Sequence, residues 1–213
     1  MPRKAIVILY PGCAFFEIAL AAEVLAGAME VAFYTPDGNP HVSSTGAVIL
    51  PTGSYEDAEV EHHLHGIVIV PGGDPGSIIP EAKAHRLLQS SRGSGAAVAG
   101  ICGGVLVLAS AGLLADVRVT HNYTTEFSSE ESVAFTERYW KGCIYERADV
   151  MVDKNIITAM PWAYVEFAAA VALAVGTMTL AEASSFVSRH RRITFPWSGQ
   201  IQAALESAAF ASR

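Results

Sequence analysis

Charge is scarce in this sequence. Only 16% of its 213 residues are Asp, Glu, Lys or Arg, and the net charge is −7. Basic residues gather nowhere beyond His190-Arg191-Arg192. Nucleic acid is not expected as a partner, because phosphate binding needs a clustered positive surface. Cysteine is equally sparse. Cys13, Cys102 and Cys143 are odd in number and far apart. That spacing supports no disulfide framework, and no CxxC or Cys/His pairing marks a zinc site. No apolar run reaches the length of a membrane span, and residues 1–10 lack the layout of a signal peptide. Reduced thiols in the cytoplasm are the expectation.

What the sequence does have is apolar residues, 51% of the total. They fall in short continuous runs separated by Gly and Pro. Residues 4–10 (KAIVILY), 30–35 (EVAFYT), 66–70 (GIVIV) and 96–101 read as strands buried on both faces. Residues 47–50 suggest a small side hairpin and 117–120 a short strand. Residues 144–159 read as strands around a polar turn at Asp153-Lys154-Asn155. Helices are expected over 17–26, over 80–92 with Pro80 in the first turn, over 104–111, and over 163–175. Thr179-Leu180-Ala181-Glu182 is a capping box that opens the last helix. Strand and helix alternate throughout. The expectation is therefore an α/β fold, a doubly wound, mostly parallel sheet flanked by helices in a flavodoxin-like sandwich, with residues 1–213 as one domain.

Ligands of such sheets bind at the carboxyl ends of the strands, where three small-residue loops fall. These are residues 11–17, residues 71–76 and Cys102-Gly103-Gly104. Gly100-Ile101-Cys102-Gly103-Gly104 matches a nucleophile elbow with cysteine in place of serine. A strand precedes it and a helix follows, whose N-terminal N–H groups would favour the thiolate. Two readings of Cys102 stand at this point: an exposed nucleophile, or a small buried core residue. Gly72-Gly73 likewise either forms an oxyanion site or simply permits a positive φ. His62, His63 and His65 lack the companion ligands of a metal site and read as a solvated element before the GIVIV strand.

The PGGDPGS loop, the AGICGGVLVLASAGLL elbow and helix, VRVTH and NIITAMPWAYVEF together resemble the DJ-1/PfpI superfamily, in family order. The resemblance implies that Cys102 is the elbow cysteine and that Glu17 is a carboxylate beside it. It also implies that His121 is an acid or base, and that Gly73 and Gly103 lend N–H groups to an oxyanion. Homodimers are common among such proteins. Departures narrow the activity. Gly103 stands where the PfpI-type peptidases place histidine and the isonitrile hydratases threonine, so both activities are poorly supported. Class I glutamine amidotransferases need a His-x-Glu pair, whereas His190 is followed by Arg191 and Arg192.

The resulting expectation is a cofactor-independent, metal-free enzyme in which Cys102 attacks a small electrophilic carbonyl, in a glyoxalase III-like or deglycase-like reaction. Glu17 or His121 would move the protons. The alternatives are a redox or stress sensor using Cys102, and a ligand-binding domain without activity. For Glu17 and His121, purely structural roles remain open as well: a first-turn helix acid, and a hydrogen-bonded histidine. Tyr123, Trp140 and Trp162 carry no assignment.

Overall fold

The computed structural model describes residues 3–191. Arg192 and the rest of the C-terminal segment lie outside the described residues. In chain order the strands are β1 (Lys4–Ile8), β2 (Glu30–Thr35), β3 (His41–Val42), β4 (Val48–Ile49), β5 (Gly53–Ser54) and β6 (His65–Val70). They continue with β7 (Ala97–Ile101), β8 (Arg118–Val119), β9 (Ile144–Tyr145), β10 (Val150–Asp153) and β11 (Ile156–Ala159). The helices are α1 (Phe16–Ala26), α2 (Tyr55–Val60), α3 (His85–Gly93), α4 (Gly103–Ser110), α5 (Glu130–Thr136), α6 (Tyr164–Ala174) and α7 (Leu180–His190).

Seven strands form the central sheet in the order β10-β11-β7-β6-β1-β2-β5. All its pairings are parallel except β10 with β11. Every residue of β6, β7 and β11 is buried, which is why those segments are apolar without alternation apart from His65 and Thr158. The β10–β11 turn is the polar one seen in the sequence: Lys154 and Asn155 both take positive φ, at 48° and 61°. That pair of angles matches the twist of an antiparallel hairpin. The expected side hairpin is β3 with β4, and β8 pairs with β9 apart from the main sheet.

Strand order locates the ligand crevice. From β1 the chain steps outward one way to β2, and from β6 it steps the other way to β7. Right-handed crossovers therefore put α1 and α3 on opposite faces. The gap between β1 and β6 is where those crossovers diverge, the usual place for a ligand in an open α/β sheet. All three small-residue loops open there.

Two expectations are corrected. The helix of 80–92 begins only at His85, because Ala82 adopts φ 52° and the chain turns before entering α3. Pro80 thus precedes the helix rather than opening it. His65 is not solvated: it is the buried first residue of β6, and its Nδ1 meets Ser91 Oγ on α3 at 2.8 Å. Burial holds its imidazole down at about 4. Among the described residues no three His, Cys, Asp or Glu side chains converge as metal ligands. The capping box of α7 forms as expected, and a second one, Ser54 with Asp57, opens α2.

Candidate active site

The elbow is built by glycines at positions where no Cβ fits. Cys102 sits at φ 54°, ψ −126°, between the last residue of β7 and the first of α4. That conformation is costly for a residue with a side chain and persists because its surroundings fix it. The Cys102 N–H donates to the Ala159 carbonyl of β11 at 3.0 Å. A Cβ on Gly103 would overlap the Gly73 carbonyl, and one on Gly104 the Val70 carbonyl. A Cβ on Gly100 would press within 3.0 Å of the Gly104 backbone. The strand, the elbow and the end of β6 therefore approach backbone to backbone.

The loops after β1 and β6 close around the thiol. Tyr10 Oη donates to the carbonyls of Pro71 and Gly72, at 2.9 and 2.7 Å. The Ala14 N–H donates to Gly72 O at 2.8 Å, and Cys13 bridges Gly73 in antiparallel fashion. These ties hold Gly73 at φ 102°, a conformation open to glycine. They also leave the Gly72 N–H pointing at α1, where Glu17 Oε2 accepts it at 2.8 Å. Glu17 lies in the first turn of α1, yet it is only 3% exposed. Its carboxylate serves Gly72 rather than its own helix. A Cβ on Gly72 would strike both Glu17 Oε2 and Cys102, its distance to Sγ being 2.8 Å. Carboxyl and thiol thus meet over a residue that must lack a side chain.

Their electrostatics are opposed and coupled. Burial pushes Glu17 up to about 7, against the pull of the Gly72 N–H and of Cys102. Burial also pushes the Cys102 thiol up to about 11, and the Glu17 charge adds to it. The N–H groups of Gly103 and Gly73 pull the thiol down, but by less. The expectation that the start of α4 alone would favour the thiolate is thereby corrected. With Glu17 ionised the sulfur stays protonated, so above neutral pH the pair holds one proton.

Gly73 and Gly103 accordingly flank the sulfur, their N–H groups facing it. His121 is buried, and its Nδ1 accepts the Tyr123 N–H at 3.2 Å. Its ring stacks on Trp140 with centroids 3.8 Å apart. Burial holds its imidazole down at about 4. No hydrogen bond joins it to Cys102 or Glu17 among the described residues. Tyr123, unassigned by the sequence, belongs to the same site: its hydroxyl is pushed up by burial, then by Cys102, Asp74 and Glu17. Only its place two residues beyond His121 could have suggested this. Cys13 is buried beside the loop, and half-buried Cys143 donates to Trp140 O at 3.0 Å. Trp162 is half exposed and donates to Asp149.

A family model described as DJ-1/PfpI matches residues 3–174. A glutathione-independent glyoxalase of Caenorhabditis elegans is 29% identical over 170 residues, 78% of this chain and 85% of its own length. An isonitrile hydratase of Pseudomonas putida is 29% identical over 119 residues, 54% of this chain and 50% of its own. Among solved structures, a DJ-1 superfamily protein of Agrobacterium tumefaciens superposes with a TM-score of 0.71 at 26% identity, covering 89% of this chain and all of that one. The DJ-1beta structure of Drosophila melanogaster shares the fold, with a TM-score of 0.71 at 24% identity over 92% of this chain. The matched stretch runs from β1 through α6 and contains the elbow with both loops that close on it, so this chain belongs to the DJ-1/PfpI family.

Proposed function

We propose that the protein is a cofactor-independent enzyme that converts a small 2-oxoaldehyde to the corresponding 2-hydroxy acid. One arrangement carries the reading: a buried carboxyl lies against the elbow thiol across Gly72, and two backbone N–H groups face that thiol. The glyoxalase named among the relatives supports the same chemistry.

In this reading Cys102 transfers its proton to Glu17 as sulfur adds to the aldehyde carbon. The C–S bond forms, and the carbonyl π pair moves to oxygen, facing the Gly73 and Gly103 N–H groups. Glu17 returns the proton to that oxygen, giving a hemithioacetal. It then takes the proton from the former aldehyde carbon and delivers it to the neighbouring one, while the hydroxyl proton passes from the first oxygen to the second. The product is a thioester of the 2-hydroxy acid. Water cleaves it, releasing the acid and the free thiol, so the sum is oxoaldehyde plus one water. Glu17 suits the proton transfers better than His121, since it is the group that interacts with the thiol.

Metal-free native protein is expected to form lactate from methylglyoxal, and Cys102→Ala to form none above the spontaneous rate. Lactate formation that survives Cys102→Ala sinks the reading. The same proposal places the protein in a reducing cytoplasm, in keeping with its three free cysteines. It also takes the protein as a homodimer, in keeping with exposed Phe16 and Tyr164, which pair edge to face at 6.4 Å. Light scattering should give twice the chain mass. A monomer mass at micromolar protein removes that part.

A further inference from the structure

Beyond the Gly72-Gly73 turn lies a cavity of about 210 Å³, lined in part by Tyr123. One wall is residues 74–76, the direct continuation of the Gly72-Gly73 turn. A second is Leu106 of α4, which follows Cys102 by four residues and so lies one helical turn above it. The third comes from α5 and the 3-10 turn after it, Glu137–Tyr139. Tyr123 joins cavity to site: it lines the space, and its hydroxyl feels the charges of Cys102 and Glu17.

The chemistry of the lining is apolar and aromatic. Ile79, Pro80, Leu106 and the rings of Phe135 and Tyr139 face the space. Phe135 is 64% exposed, an aromatic residue held at the rim with no core to cover it. Arg138 fixes that rim. Its guanidinium lies 5.4 Å from the Phe135 ring centre and 4.8 Å from that of Tyr139, and it donates to Tyr139 Oη at 3.0 Å. The cation is thus occupied by the rings, while the Asp74 carboxylate, which also lines the space, disfavours an anion. In volume the space exceeds the roughly 150 Å³ apolar cavity that holds a benzene molecule. A methyl group would leave most of it empty.

We infer that this cavity receives the substituent on the electrophilic carbonyl, and that the substituent is an uncharged aryl or branched alkyl group. The inference rests on Cys102 being the nucleophile, and it moves the preferred substrate from methylglyoxal toward phenylglyoxal and its like. Selectivity would come from burying the substituent against Leu106, Phe135 and Tyr139, where each methylene is worth roughly 1–3 kcal/mol, about 10- to 200-fold.

The test compares two alkylating probes at Cys102, 2-bromoacetophenone and iodoacetamide. In each, sulfur displaces halide: the C–S bond forms, halide leaves, and the thiol proton passes to Glu17 or water. Peptide mass spectrometry separates Cys102 from Cys13 and Cys143, and free cysteine supplies the intrinsic ratio of the two rates. Native protein is expected to favour the aryl probe about tenfold beyond free cysteine. Ser132→Phe, which fills the cavity from α5, should abolish most of that preference, and Phe135→Ala should reduce it severalfold. A native ratio equal to that of free cysteine overturns the inference, as does a ratio unmoved in both variants. A Cys102 inert to both probes overturns the inference and the proposed function together. An aryl preference that persists where neither phenylglyoxal nor methylglyoxal yields a 2-hydroxy acid upholds the cavity's role and sinks only the oxoaldehyde chemistry.

Discussion

Glu17→Gln is expected to give a protein that resists unfolding better above neutral pH and reacts more slowly at Cys102. Both effects come from one buried proton. Glu17 is pushed from 4.5 to about 7 in the folded chain, chiefly by burial. A carboxyl raised in this way favours folding below its ordinary range, and that contribution is lost as pH rises through about 7. The displacement corresponds to about 3 kcal/mol by pH 8.5, as an order of magnitude. Glutamine carries no charge to bury and still offers an oxygen to the Gly72 N–H. Urea unfolding should therefore separate the variant from the native protein little at pH 5 and by up to that amount at pH 8.5. An equal difference at both pH values means that Glu17 is not the buried charge.

Reactivity runs the other way. In the native pair the first proton leaves near pH 7 and the second only when the thiol, held at about 11, ionises. Iodoacetamide labelling of Cys102 should thus rise in two steps, the first near neutrality. With glutamine the carboxyl step disappears. A single rise remains, lying below the native upper step because the Glu17 charge no longer opposes the thiolate. At pH 7 the variant has lost its base, and labelling should slow by about a hundredfold, within the range of a lost proton acceptor. Faster labelling at pH 7 would show that Glu17 represses the thiol instead of taking its proton.

The second large effect concerns Gly104, which never touches a reacting atom. On helix propensity alone, Gly104→Ala should gain about 1 kcal/mol, since the residue lies inside α4. Contact decides otherwise. The added Cβ would overlap the Val70 carbonyl oxygen and lie 2.7 Å from that of Pro71. Both are backbone atoms at the buried end of β6, so no side chain can swing aside. Either α4 lifts off the sheet or the elbow shifts, and a net loss of about 3 kcal/mol is expected. Gly93→Ala, at the end of α3, is the control: nothing stands within 4 Å of its Cβ, and its φ is not positive. It should be neutral or mildly stabilising in the same urea titration. Equal stabilities for the two variants would mean that α4 can yield without loss.

Much of this protein was legible in its sequence. Strands buried on both faces must be apolar along their length, so AIVI, GIVIV and AVAGI mark themselves whatever surrounds them. The Thr179–Glu182 capping box and the turn at Lys154-Asn155 are equally local, satisfied within a few residues. The elbow belongs with them, because the lack of Cβ atoms at 100, 103 and 104 is written in the chain. What failed was of another kind. Pro80 suits a helix start, but the turn at Ala82 delays α3 to His85. His65 is polar and follows His62 and His63 closely, yet the register of β6 carries it into the core beside Ser91. The site divides along the same line. By itself the sequence determined the fold class and the position of the cysteine, since backbone conformation answers to nearby residues. Tertiary structure alone set the 2.8 Å bond from Gly72 to Glu17, brought Tyr123 under the influence of the thiol, and raised that thiol instead of lowering it. A pKa depends on water excluded and charges met across loops that are distant in the chain, and only the closed sheet brings them together.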